Sequence, residues 1–480
     1  MAAARPELTA QADSRRWFAL AILLTGAFLG PLDFFIVNLA LPSIQKGLGA
    51  SSADTQLVIS GYAVIYASFL ITGGRLGDIY GRKSVFLLGL GGFALASGFC
   101  GLATSTDMLI LGRTLQALSA AAMAPQALAS IHALFPPHER VQALMIYGAT
   151  LGLASVVGQL AGGVLVALDL GGLGWRVIFL INLPVALVAA ATAIPFLRET
   201  RKGPSPTLDI VGVVLSSLAL LAFVIPLTEG RDRGWPLWSI AMLAATPFLV
   251  EMFRRYEIRL ALKGGEPLVP LAIFASPGLL RALGAVALIY ALATFFLTVA
   301  IYCQVGLAQT TMQAGLMILP FCLGNFIGPF VTGLVARQAG GHGPSIGYGL
   351  MAVSTAAMAA TVLSAAPAAP PAIPFVMSLF GLGLGMGITI PTMMRVVVER
   401  IDPAFAGLVG GVFNSTLQVS AACSVALIGG FFFTAWGPAM RPEDVGHAFG
   451  LTMLLIAGVY VVAGMLAGGL GQRRLCGVSS

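Results

Sequence analysis

The sequence predicts an all-α integral membrane protein, a bundle of fourteen transmembrane helices. Composition, the spacing of apolar runs and the placement of basic residues each point to it. Of 480 residues, 58% are apolar and 9% are charged, whereas soluble domains carry about a quarter charged residues. So few ionic groups cannot coat a water-facing surface, and the mean hydropathy is +0.93. Soluble enzymes, nucleic-acid binders and secreted scaffolds are thereby excluded. The net charge of +7 is scattered between apolar runs, a pattern that reports membrane orientation rather than nucleic-acid binding.

In chain order, residues 1–16 form a polar N-terminal tail, which the sequence places in the cytoplasm. Crossing the hydrocarbon core takes about 20 mostly apolar residues. Six such spans fall near 17–40, 55–74, 84–104, 107–130, 142–167 and 176–197, giving an N-terminal six-helix half over 17–200. Two more, near 208–228 and 235–253, lie in an insert over 201–277, which ends in a basic loop hugging the membrane at Arg254–Lys263 and Glu266–Pro270. The last six, near 279–304, 312–336, 345–365, 373–397, 405–434 and 448–470, make a C-terminal half over 278–470, followed by a cytoplasmic tail at 471–480. No stretch alternates with the period of two that a membrane β-barrel requires.

With the N-terminus inside, twenty of the 26 Lys and Arg fall in inner loops and tails, five fall in outer loops, and Arg113 alone lies within a span. This bias places both termini in the cytoplasm and requires an even number of spans. A weak repeat supports two halves. The Gly74/Gly81 spacing recurs as Gly333/Gly340, and Glu139-Arg140 recurs as Glu399-Arg400, at nearly the same offset. That offset pairs each early span with the one eight places later, around a shared midplane site.

The clearest local signature is Gly74-Arg75-Leu76-Gly77-Asp78-Ile79-Tyr80-Gly81-Arg82-Lys83. Its glycines permit a tight turn between spans 2 and 3, Asp78 is positioned to cap span 3, and Arg82 and Lys83 present donors at the membrane face. The string resembles the inner-loop signature of the major facilitator superfamily. Leu32-Asp33-Phe34-Phe35-Ile36-Val37-Asn38-Leu39-Ala40-Leu41-Pro42 and Trp175-Arg176-Val177-Ile178-Phe179-Leu180-Ile181-Asn182-Leu183-Pro184 are similar to signatures of its fourteen-helix drug:proton antiporter family. So are Tyr302-Cys303-Gln304-Val305-Gly306 with Ala314-Gly315-Leu316 and Leu319-Pro320, and Arg113 through Gln116, although Ala117 stands where that family usually has glycine.

The resemblance covers essentially the whole chain. It implies a major-facilitator-type bundle of two six-helix halves plus two inserted helices. It also implies a monomeric multidrug efflux antiporter of the cell membrane that exports lipophilic drugs, antibiotics or secondary metabolites. Such a carrier uses no cofactor or metal and is driven by the proton gradient. One departure is Gly158-Gln159-Leu160-Ala161-Gly162-Gly163 in span 5, where glutamine replaces the proline that the family places after the first glycine.

Read from the residues alone, coupling centres on charge inside apolar spans. Asp33 is the one carboxylate read well within a span and Arg113 the one cation, and embedded ions are functional candidates by default. Counting about 1.5 Å per residue, both lie roughly 10 Å from the outer surface, so a pair is sterically available. A static salt bridge and a switchable proton site both fit. The inner-gate expectation rests on Gly74, Gly77, Asp78, Gly81, Arg82 and Lys83. Asn38, Tyr62, Gln126, Asn325, Asn414 and Gln418 are candidates for a substrate cavity or, equally, for helix-helix hydrogen bonds. An uptake carrier of the same fold is the alternative function. A membrane enzyme is the remote one, since the chain has no H-E-x-x-H, no G-x-S-x-G and no paired acids.

Overall fold

The structure is a computed structural model and describes residues 15–50, 52–199, 209–230, 234–265, 267–276, 278–339, 342–366, 368–400, 406–437 and 439–470. Among them every regular element is helical. The N-terminal set is α1 (Arg15–Leu48), α2 (Ser52–Tyr80), α3 (Arg82–Gly101), α4 (Thr106–Leu134), α5 (Pro137–Leu168) and a sixth rod made of α6 (Val177–Leu180) and α7 (Asn182–Phe196). The insert is α8 (Ile210–Glu229) and α9 (Leu237–Leu262). The C-terminal set opens with α10 (Leu279–Ile289), α11 (Leu292–Ile301) and a π-turn at Tyr302–Gly306. It continues as α12 (Thr311–Met317), α13 (Leu319–Ala339), α14 (Gly343–Ala365), α15 (Ala372–Val398), α16 (Ala406–Trp436) and α17 (Val445–Ala467).

Local chemistry accounts for the breaks. Pro320 lacks the N–H that would bond the Leu316 carbonyl, and α12 gives way to α13 there. Thr310 and Gln313 form a reciprocal capping box that starts α12. Gly81, at φ +95, makes the turn between α2 and α3, a backbone region that costs glycine little.

Twelve segments among the described residues are long and apolar enough to cross a membrane, against the fourteen expected. The two helices outside this count are α4 and α5. α4 has 29 residues and carries Asp107, Arg113, Gln116 and Gln126. α5 has 32 residues; its stretch Gln142–Gly158 is apolar, and Leu160–Leu168 beyond it is apolar in sequence too. Both pack inside the bundle: α4 against α2 and α3, α5 against α1 and α13. A second difference is at α9, which continues through Arg254 and Glu257 to Leu262. The expected basic loop at Arg254–Lys263 is therefore mostly helix, and Glu266 lies outside the described residues.

The packing repeats. α2–α4, α3–α4 and α3–α7 contacts in the N-terminal set have counterparts in α13–α15, α14–α15 and α14–α17, and α1–α5 has its counterpart in α10 and α11 against α16. The two sets meet along two seams, α2–α16 and α5–α13, which exchange with each other under the same correspondence.

Small residues close both seams toward the end of the molecule that carries Arg16, Arg82, Arg140 and Arg400, here the basic end. A Cβ on Gly411 would lie 2.8 Å from the Ile71 Cα, and one on Gly148 2.8 Å from the Pro391 ring. Ser415 donates to the Ala67 carbonyl at 3.2 Å, and Tyr147 and Asn414 hydrogen-bond across the sets. In the insert, α8 leans on both α2 and α16, while α9 packs mainly on α8.

Candidate functional site

Four helices of the N-terminal set converge on Asp33. On α1, Gly26 and Gly30 lie on the face that carries Asp33 at helical spacing. Gly26 lets the Phe86 ring of α3 approach so closely that a Cβ there would sit 2.7 Å from it. On α4, Arg113 and Gln116 are three residues apart and share a face. Ser97 comes from α3, and Asn182 opens α7 just after the break at Ile181.

Asp33 is 0% exposed and Arg113 1%. Arg113 Nη1 donates to Asp33 Oδ2. Asp33 Oδ1 accepts from Gln116 Nε2 and from Asn182 Nδ2, both at 3.0 Å. Gln116 Nε2 also lies 2.7 Å from Ser97 Oγ, and Gln116 Oε1 accepts from Arg113 Nη1 at 2.9 Å. Arg113 Nε donates to the Val58 carbonyl of α2 at 3.1 Å. The Tyr62 ring stacks on the guanidinium, 4.1 Å from Cζ to its centroid. This cation–π contact adds to the ion pair where water is excluded. Each carboxylate oxygen thus has donors, and the charge is matched. The two oxygens differ: Oδ2 faces the cation, while Oδ1 is held by neutral amides.

Gly158 of α5 abuts this site from behind, where a Cβ would lie 2.7 Å from the Phe35 Cβ and 3.0 Å from the Leu32 carbonyl. The side chain of Gln159, and whatever occupies the space around Gly163 and Asn38, lie outside the described residues; Gly162 is buried. An aromatic path leaves the site toward the C-terminal set. Phe34 and Phe35 meet edge to face, and Phe35 lies 6.3 Å from Phe296 of α11, which contacts Phe295 and Phe321. Tyr66 stacks on Tyr62.

The signature at the basic end is a packed hairpin. Gln126 Nε2 donates to the carbonyls of Gly73 on α2 and Ala122 on α4, both at 2.8 Å, and its amide presses on Gly77, where any side chain would overlap it. Gln126 therefore ties α4 to α2, about 20 Å along α4 from Arg113, and the structure does not bring it to the Asp33 cluster. Gly74 is buried. Asp78 pairs with Arg82 at 3.6 Å. Arg82 Nη1 donates to the Ala129 carbonyl at 2.6 Å and Lys83 Nζ to the Ile194 carbonyl at 2.7 Å, so both reach α4 and α7 of their own set.

The cap of α3 differs from the expectation for Asp78. Glu199 supplies it, accepting from the Lys83 N–H at 3.2 Å, the Ser84 N–H at 3.1 Å and the Ser84 hydroxyl at 2.6 Å. Its carboxylate lies directly over Gly81, a position that the bare Cα of glycine leaves open. Asp78 lies within α2, whose last residue is Tyr80, and its carboxylate is turned to Arg82.

Asn325 is buried on α13 at the α5 seam, Asn414 bonds Tyr147, and Gln418 is half-buried one turn further along α16. Sequence reasoning missed Ser97, Gln116 and Asn182 as site residues. The two amides stood inside motif strings already noted; Ser97 carried no signal.

The Major Facilitator Superfamily model matches residues 23–425. The chain is 34% identical over 452 residues to the probable actinorhodin transporter of Streptomyces coelicolor, covering 93% of this chain and 77% of that one. It is 32% identical to the tetracenomycin C resistance and export protein of Streptomyces glaucescens, over 86% of this chain and 76% of that one. It is 32% identical to the puromycin resistance protein pur8 of Streptomyces alboniger, over 95% and 91%. In fold it is similar to the human organic anion transporter MFSD10, with a TM-score of 0.64 at 16% identity over 94% of this chain and 99% of that one. The molecule is thus a multi-pass membrane transporter. It belongs to the major facilitator superfamily.

Proposed function

We propose that this chain is a proton-coupled exporter of lipophilic small molecules, antibiotics or secondary metabolites among them, across the cell membrane. It works as a monomer, without a cofactor, with both termini in the cytoplasm. Its fourteen passes form two six-helix halves, 17–200 and 278–470, related by a pseudo-two-fold, with the insert outside them. The named export and resistance roles of its relatives support the direction of transport. The observation that carries the coupling is the Asp33–Arg113 pair, fully buried among spans.

The asymmetry of Asp33 suggests how it works. A proton arriving from outside adds at Oδ2 and replaces the Arg113 contact, while Gln116 and Asn182 keep Oδ1 in place. Arg113 is then released toward Tyr62 and Val58, and α4 is free to shift relative to α1. Facing the cytoplasm, Asp33 loses the proton and regains the cation. A ligand shifts this equilibrium only through unequal affinity for the two states. The signature of Gly74, Gly77, Asp78, Gly81, Arg82 and Lys83 acts as the inner gate by stiffening the α2–α3 hairpin that borders the α2–α16 seam. Because Arg113 already matches Asp33, no spare carboxylate is left at this site for a dication, and neutral or singly cationic amphiphiles are the expected cargo.

The test is a substrate panel scored as resistance in an efflux-deficient host, followed by energised inverted vesicles, in which the wild type should accumulate the substrates found. Asp33→Asn should reduce that accumulation to background and abolish proton release when substrate is added to purified protein. Proton release at the wild-type level from Asp33→Asn would place the coupling elsewhere.

A further inference from the structure

The insert carries a second buried acidic site, on helices remote in sequence from Asp33. Asp209 caps α8: its Oδ1 accepts from the Gly212 N–H at 2.9 Å and from the Tyr256 hydroxyl at 2.8 Å. Glu257 of α9 is 1% exposed, and its Oε2 accepts from the Val269 N–H at 3.0 Å. The other oxygens, Asp209 Oδ2 and Glu257 Oε1, are buried with no donor among the described residues. Both lie against the Gly212 Cα, where a Cβ would overlap each of them.

Two buried acceptors are thus turned to one point. The facing groups are Asp209 at the start of α8, Tyr256 and Glu257 of α9, and the backbone N–H groups of Leu268 and Val269 from the segment packed over them. Among the described residues no salt bridge reaches either carboxylate. Burying two ionised carboxylates together without a cation is strongly unfavourable, and one proton between them relieves it.

We propose that Asp209 and Glu257 form a second proton-binding site, in which one proton shared between Asp209 Oδ2 and Glu257 Oε1 holds the segment 267–276 on the α8–α9 hairpin. The segment is the chain's route into the C-terminal set: it ends at Ser276, whose hydroxyl donates to the Arg400 carbonyl at 2.8 Å just before α10. With the proton bound, Glu257 keeps its place under Val269 and the insert is tethered to the C-terminal set. As pH rises through the titration of the pair the proton leaves, two like charges face each other, and Glu257 swings away from Val269. The tether is full at low pH and lost on the alkaline side.

The experiment combines infrared pH titration of the carboxyl C=O stretch with amide hydrogen exchange, on purified full-length protein in detergent. A titrating carboxyl band should appear in the wild type and in Asp33→Asn, and be absent from both Asp209→Asn and Glu257→Gln. In the wild type, protection of the Leu268 and Val269 amides should fall with rising pH beyond the intrinsic increase in exchange rate. In Glu257→Gln it should not, because the new amide donates to Asp209 Oδ2 at any pH. A band that survives both substitutions overturns the proposal. So does wild-type protection that is flat with pH, a measurement that decides the matter even if neither variant folds. Retention of the band in Asp33→Asn separates this site from the proposed coupling site.

Discussion

The two helix sets solve one packing problem with different chemistry. In the N-terminal set, α1 is held by a buried ion pair and amides: Arg113 and Gln116 from α4, Ser97 from α3 and Asn182 from α7 ring Asp33. In the C-terminal set, the corresponding helix α10 is held by neutral hydroxyls. Tyr348 of α14 donates to the Ala285 carbonyl at 2.5 Å and Tyr460 of α17 to the Ile289 carbonyl at 3.4 Å, while Thr294 of α11 meets Ser424 of α16 at 2.6 Å. α14 and α17 stand where α3 and α7 stand in the other set. Among the described residues the C-terminal set buries no charged side chain. A hydroxyl bonded to a carbonyl does not change its charge near neutral pH, so of the two sets, among the described residues, the N-terminal one alone buries a carboxylate whose charge a proton would cancel. Symmetry of fold here coexists with asymmetry of buried polar chemistry.

The comparison breaks most visibly if Arg113 is removed. Arg113→Ala leaves Asp33 buried without its cation, and breaking such a pair costs about 3–5 kcal/mol. Unfolding of purified protein should show that loss, and transport should fall to background. The Asp33→Asn/Arg113→Gln double variant should recover most of the stability but none of the coupling. Arg113→Lys should recover part of both, since the charge survives but the fork that reaches Asp33, Gln116 and Val58 together does not. Equal stability of Arg113→Ala and the wild type would show that the pair does not hold the N-terminal set together.

A smaller effect is expected at the basic end, where contact rather than charge is at stake. Gly77→Val must displace the Gln126 amide from its two carbonyl acceptors, and overpacking of this kind costs about 1–3 kcal/mol. The expected signature is lower thermal stability with the pH profile of residual transport unchanged. A shifted profile would instead tie the hairpin to the proton site.

Sequence made the charged part of this comparison readable and left the neutral part hidden. Asp33 and Arg113 stood out because an ion in an apolar run has so few explanations, and counting residues along two helices was enough to match their depths. Gln116 and Asn182 did not stand out, because a buried amide that serves a site and one that joins two helices look alike until the partner is known. The cap of α3 was assigned to the nearby Asp78, whereas Glu199 reaches it from more than a hundred residues away, a relation that only the fold creates.

The acids of the insert were hidden for another reason. Charges at Glu251, Arg254 and Arg255 end the apolar window, yet Glu251 bonds both arginines one turn on, at 2.7 and 2.6 Å. Such pairs support a helix, so α9 runs on and carries Glu257 to its buried place beneath Val269. Hydropathy alone likewise undercounts α4, whose polar residues are what the site is made of.

The smallest expected effect sharpens the comparison from the neutral side. Tyr348→Phe keeps the ring, which is fully buried, and removes only the hydroxyl that donates to the Ala285 carbonyl. That carbonyl lies inside α10 and retains its helical partner, so no buried acceptor is stranded. The cost should be that of one net hydrogen bond, about 1 kcal/mol. Thermal unfolding should register it, while accumulation in inverted vesicles and its pH dependence should match the wild type. If the hydroxyl set is a passive frame, loosening it by one bond leaves proton coupling untouched. A changed proton stoichiometry or a displaced pH optimum in Tyr348→Phe would mean that α10 moves with the cycle as α1 does, and the division between a charged switch and a neutral frame would fail.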